Sequence, residues 1–152
     1  AKLKLKAGVV TGTALQDLFA YMKEVPCALP AVNVISSHGV VAALLAAREA
    51  KAPVIIQFSN GGGHFFAGKS LDNKGEKAAV AGSIAGAHFV RSLAEAYGVA
   101  VILHTDHAAK KLLPWIDGML DAGETYFKAT GEPGDLSQVP HAHGQAEDDP
   151  GD

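Results

Sequence analysis

The sequence predicts an α/β fold built from repeated β-α units, and three observations carry that reading. First, three short runs are almost wholly apolar and rich in β-branched residues: residues 29–35 (LPAVNVI), 53–58 (PVIIQF) and 99–103 (VAVIL). Near-continuous hydrophobicity suits strands covered on both faces, as in a parallel sheet. Second, segments with apolar residues at helical spacing lie before and between these runs, the alternation expected of parallel strands joined by right-handed crossovers. Third, each run ends in polar residues, the edge where open and closed parallel sheets carry their sites.

The elements follow in order. Leu15, Leu18, Phe19 and Met22 mark a first helix after a Thr-Gly-Thr start. After the first strand, Val40, Val41, Leu44 and Leu45 mark a second helix, opened near Ser36 or Ser37. After the second strand comes the run Gly61-Gly62-Gly63, which reads as a flexible loop or as backbone N–H groups offered to an anion. Val80, Ile84, Val90, Leu93 and Ala94 mark a third helix, closed by Gly98. After the third strand, Leu112, Leu113, Ile116 and Leu120 mark a fourth, expected to end at Gly123. A doubly wound sheet and a (β/α)8 barrel both fit this order. A whole barrel takes about 250 residues, so three β-α units are less than half of one.

Composition narrows the function classes. The 152 residues are 48% hydrophobic, enough for a sizeable core, and the net charge of −3 gives no basic surface for nucleic acid or an anionic membrane. No apolar run approaches the roughly 20 residues of a membrane span. The basic start, AKLKLK, is not followed by the long apolar segment of a secretory signal. Cys27 is the single cysteine, which excludes an internal disulfide framework and fits a reducing, cytoplasmic setting. All 13 basic residues precede residue 131, whereas 131–152 carries six of the 16 acids, with four Gly and three Pro. Residues 1–130 therefore read as the folded part and 131–152 as an irregular acidic tail. His141 and His143 in that tail form His-x-His, an adventitious chelating pair.

The densest chemistry lies after the third strand. His104, Asp106 and His107 fall within four residues, followed by Lys110 and Lys111. Neutral imidazole is a zinc ligand and a carboxylate can move a proton. Polar residues also cluster wherever a strand reaches solvent, and one strand end cannot complete a catalytic zinc site, which usually takes three protein ligands.

The segment HTDHAAKKLLPWIDGMLDAGE resembles the third-strand signature of class II, zinc-dependent fructose-bisphosphate aldolases. ALPAVN (28–33), APVIIQFSNGG (52–62) and GSIAGAH (82–88) resemble the family's preceding segments in the same order, so the likeness covers about 8–131. The resemblance implies a (β/α)8 TIM barrel, here the N-terminal part with about three β-α units. It implies reversible cleavage of fructose 1,6-bisphosphate to dihydroxyacetone phosphate and glyceraldehyde 3-phosphate, a step of glycolysis and gluconeogenesis. It also implies Zn2+ and a homodimer. It makes Asp106 the catalytic acid/base at the C4 hydroxyl and His107 a metal ligand, with His104 behind them. Asn33, Gln57 and Ser59 match positions lining the substrate site, Ser59 towards a phosphate, although strand-end side chains also satisfy backbone groups. Lys110 and Lys111 need not be nucleophiles, because zinc chemistry uses no Schiff base. The family's other zinc ligands, a glutamate and two histidines, come from strands beyond residue 131. An open arc of barrel leaves edges and apolar faces unpaired, so these residues are expected to be the first part of a longer chain. The alternatives are a tagatose-bisphosphate aldolase and a noncatalytic half-barrel.

Overall fold

The computed structural model describes residues 3–131. Four parallel strands form one sheet: β1 (Gly8–Val9), β2 (Ala31–Asn33), β3 (Val54–Phe58) and β4 (Ala100–Thr105), in spatial order β1-β4-β3-β2. The three apolar runs are β2, β3 and β4. Between them lie α1 (Gly12–Glu24), α2 (Ser37–Ala50), α3 (Asn60–Ala67), α4 (Lys77–Tyr97) and, last, α5 (Leu113–Thr130).

Strand alternation divides the core into two faces. Val54, Ile56 and Phe58 of β3 and Val101 and Leu103 of β4 point one way, into a cluster with Val40 and Leu44 of α2, Val90 of α4, and Trp115 and Met119 of α5. Ile55 and Ile102 point the other way and meet Leu15 and Leu18 of α1. The helix that precedes the β-α units therefore covers the face opposite the crossover helices.

Capping explains several boundaries. The Ser36 hydroxyl accepts from the Gly39 N–H at 3.4 Å at the start of α2, and Gly98 closes α4 in the left-handed conformation. Two expectations need correction. Gly61-Gly62-Gly63 is not a loop but the first turns of α3, because Ser59 caps that helix. Gly123 does not end α5; it lies buried inside the helix, which runs on to Thr130 and stops at Gly131 with φ of 72°. The two-residue β1 also joins the sheet; Gly8 N–H donates to the Val99 carbonyl and Val10 N–H to the Val101 carbonyl.

Glycine sets the closest helix contact. α3 lies on α4 so tightly that a Cβ on Gly82 would overlap the Gly63 carbonyl, and one on Gly63 would overlap the Ser83 hydroxyl. Beside this contact, the buried Ser83 hydroxyl donates to the Ala79 carbonyl at 2.9 Å and accepts from Trp115 Nε1 at 3.2 Å, joining α4 to α5. The expected irregular tail, 131–152, lies outside the described residues except for Gly131, as do His141 and His143.

Candidate active site at the strand ends

The C-terminal ends of β2, β3 and β4 lie side by side. Asn33 is paired in register with Gln57, and Gln57 with His104. They alternate with the residues that face the crossover helices, so all three point to the α1 side of the sheet. Their side chains form a chain of hydrogen bonds. Gln57 Nε2 donates to Asn33 Oδ1 at 3.3 Å, and His104 Nδ1 meets Gln57 Oε1 at 2.7 Å. Gln57 is 9% exposed, whereas Asn33 at the far end is exposed. By position, His104 lies within β4, whereas Asp106 and His107 lie past its end.

Asp106 continues the alternation one step beyond β4 and shares the parity of Ile102 and His104. Its N–H donates to the Phe58 carbonyl at 2.8 Å, which holds it against the neighbouring strand after the regular pairing ends. Its half-buried carboxylate accepts from the His107 N–H at 2.9 Å through Oδ1. That bond spends one oxygen lone pair and fixes the turn that carries the exposed His107 side chain. A carboxylate held at the edge of a sheet, with an exposed imidazole on the next residue, can exchange a proton with a ligand above the strand ends.

Ser59, the residue after β3, is committed locally. Its hydroxyl accepts from the Gly62 N–H at 3.0 Å and caps α3. That leaves hydroxyl hydrogen and N-terminal N–H groups at a helix start, the environment that favours an anion. The next residue is anchored by a group the sequence reading passed over. Glu76, in the left-handed conformation at φ of 62°, takes Asn60 Nδ2 at 2.8 Å and Asn73 Nδ2 at 3.1 Å on one carboxylate oxygen. The sequence signal for it was slight, because Glu76 lies in a polar connector with no periodicity.

Among the described residues, no three His, Cys, Asp or Glu side chains gather closely enough to hold a metal ion. His107 offers one imidazole, and Asp106 and Asn33, Gln57 and Ser59 surround the strand ends without completing a coordination set. A groove of about 780 Å³ runs elsewhere, between the N-terminal segment and α4, where Lys6, Val9, His88, Arg91 and Tyr126 line it. None of Asn33, Gln57, Ser59, His104, Asp106 and His107 lines it.

Comparison with known proteins gives this edge its context. The family model for class-II fructose-bisphosphate aldolase matches residues 13–142. The fructose-bisphosphate aldolase of Saccharomyces cerevisiae is 57% identical over 131 residues, covering 86% of this chain and 36% of that protein. That of Schizosaccharomyces pombe is 59% identical over 126 residues, covering 83% and 35%. A crystal structure of fructose-bisphosphate aldolase from Campylobacter jejuni superposes with a TM-score of 0.81 at 50% identity, over 87% of this chain and 37% of that one. The chain thus spans just over a third of the length of these relatives, and its parallel sheet is part of a TIM barrel. With the family model running through the strand ends that hold Asn33, Gln57, Asp106 and His107, the chain belongs to the class-II fructose-bisphosphate aldolase family.

Proposed function

We propose that the protein, at its natural length, reversibly cleaves fructose 1,6-bisphosphate to dihydroxyacetone phosphate and glyceraldehyde 3-phosphate with the help of zinc. The observation that supports this most is the placement of Asp106. Its backbone is tied to β3, its carboxylate is half-buried, and it shares the edge that Asn33, Gln57 and His104 face.

Asp106 takes the proton from the C4 hydroxyl as the C3–C4 bond breaks. The new carbonyl forms at C4, and the bonding electrons pass to C3 as an enediolate of the three-carbon ketone fragment. The enediolate becomes dihydroxyacetone phosphate by taking a proton at C3 from a further acid outside the described residues, and in condensation the Asp106 carboxylic acid returns its proton to the C4 oxygen. A rigid attachment matters here, because proton transfer needs hydrogen-bond reach to the hydroxyl. Asn33 binds a substrate oxygen from the end of β2, two strands from Asp106, and Gln57 on the strand between them holds Asn33 in place. Ser59 and the start of α3 receive a phosphate.

Zinc would supply Lewis-acid stabilisation of the enediolate oxygen. The described residues do not hold it by themselves. His107 is the one donor this chain offers in our reading, so the remaining ligands must come from the rest of the barrel. Homodimerisation and a cytoplasmic location belong to the same proposal, and sedimentation of the natural-length protein tests the first.

The test is Asp106→Asn in the natural-length protein. We expect kcat for cleavage to fall by on the order of 10²–10⁴-fold while zinc content is retained. If Asp106 only orients His107, zinc will be lost with the rate, and excess zinc will restore cleavage to near the wild-type value. Running fructose and tagatose 1,6-bisphosphates side by side decides the sugar; faster cleavage of the tagatose ester would reassign the substrate.

A further inference from the structure

We propose that His104 is a positioning residue that sets which face of the Asn33 amide the strand edge presents. The inference deepens the proposed function, since it concerns how that site greets an oxygen-rich sugar phosphate. It starts from a directional constraint. Gln57 Oε1 can only accept, so at 2.7 Å from it the Nδ1 of His104 must carry the proton and donate. A contact this short suits N–H···O and is tight for two nitrogens. With its oxygen committed to His104, Gln57 turns its NH2 towards β2 and donates to Asn33 Oδ1 at 3.3 Å. Asn33 therefore has its oxygen turned inward, and its NH2 is the group left for the exposed side of the edge.

Three residues in direct register across three parallel strands thus form a one-way chain, from His104 through Gln57 to Asn33. Its polarity has a chemical consequence. An outward NH2 donates to a hydroxyl, carbonyl or phosphoryl oxygen, whereas an outward amide oxygen repels the last two. Gln57 is buried enough that an incorrectly turned amide would leave its polar atoms unpaired away from water. The proton on His104 Nδ1 selects between the two orientations. It also keeps the other ring nitrogen of a neutral His104 as an acceptor.

Three variants separate this role from mere packing. His104→Leu removes the donor. His104→Asn restores an N–H at about the place of Nδ1. Gln57→Glu gives a carboxylate that accepts from both neighbours, so Asn33 must turn its NH2 inward and its oxygen out. The direct readout is 15N NMR of the full chain, which needs no catalytic activity. We expect His104 as the Nδ1–H tautomer, with the Gln57 NH2 protons close to Asn33. Their slowed solvent exchange should persist in His104→Asn and be lost in His104→Leu. A neutral Nε2–H tautomer, or Gln57 NH2 protons close to the His104 ring, would overturn the proposal. In the natural-length protein, His104→Leu and Gln57→Glu should each raise KM for the sugar bisphosphate by about tenfold or more, the size of a lost hydrogen bond to a charged group. His104→Asn should stay near wild type, and kcat should change far less than KM. A loss confined to kcat would contradict the role. Absence of any cleavage by the wild-type protein, with the NMR pattern intact, would count against the aldolase reading and leave the polarity of the chain standing.

Discussion

His104 and His107 carry the same side chain three residues apart, yet the sheet gives them different surroundings. His104 lies inside β4 and is paired with Gln57; His107 lies past the strand and is exposed. The sequence placed both at a strand end and, through its resemblance, ranked His107 as the ligand. It could not name the partner of His104, because Gln57 is 47 positions away and only strand register brings them together. For His107 we expect that His107→Ala, in the natural-length protein, loses bound zinc on metal analysis along with cleavage. Full metal occupancy with unchanged activity would remove it from the ligand set. Trp115 offers a residue-scale test of the fold. It is fully buried and donates to Ser83. Trp115→Phe keeps most of the apolar bulk and removes that bond, so a loss of about 0.5–1.5 kcal/mol is expected in urea denaturation, plus a contribution from the smaller ring.

At the scale of elements, the strands and most helices were legible because their signal is local. Continuous β-branched runs marked β2, β3 and β4, and helical spacing marked α1, α2, α4 and α5. The misses have physical causes. β1 is two residues long and held by hydrogen bonds to Val99 and Val101, which no periodicity announces. α3 was hidden by its glycines, which ordinarily punctuate a chain; here Gly63 is needed because α3 meets α4 backbone to backbone, with Gly82 on the α4 side. Gly123 misled in the same way, standing inside α5 rather than after it. The contrast between glycines is testable. Gly82→Ala must push α3 from α4 and should destabilise by about 1–3 kcal/mol or more. Gly61→Ala, with nothing within 4 Å of the added carbon, should be neutral or stabilise by about 0.4–1 kcal/mol. Equal urea midpoints for the two variants would refute the close approach.

For the whole molecule, the sheet is an arc and its surface bears the mark. Trp115, Met119 and Gly123 face the core from α5, while Leu113, Leu120 and Phe127 form a second stripe at seven-residue spacing that remains 44–54% exposed. No described helix is long and apolar enough to cross a membrane. In our proposal the barrel continues and its next helix packs there. Phe127→Ser in the natural-length protein should then lower stability well beyond the ±0.5 kcal/mol usual for surface positions, as read from its urea midpoint. A change within that range would leave the stripe without a covering partner. The central claim, that this arc belongs to a metal-assisted aldolase acting through Asp106 and His107, is tested most directly by chelation. Cleavage of fructose 1,6-bisphosphate by the natural-length protein is followed as triose phosphate released, before chelation, after it, and after zinc is returned. The account predicts that cleavage is abolished by the chelator and recovered with zinc. Cleavage that survives full metal removal, and is instead trapped by borohydride as a lysine adduct, would contradict it.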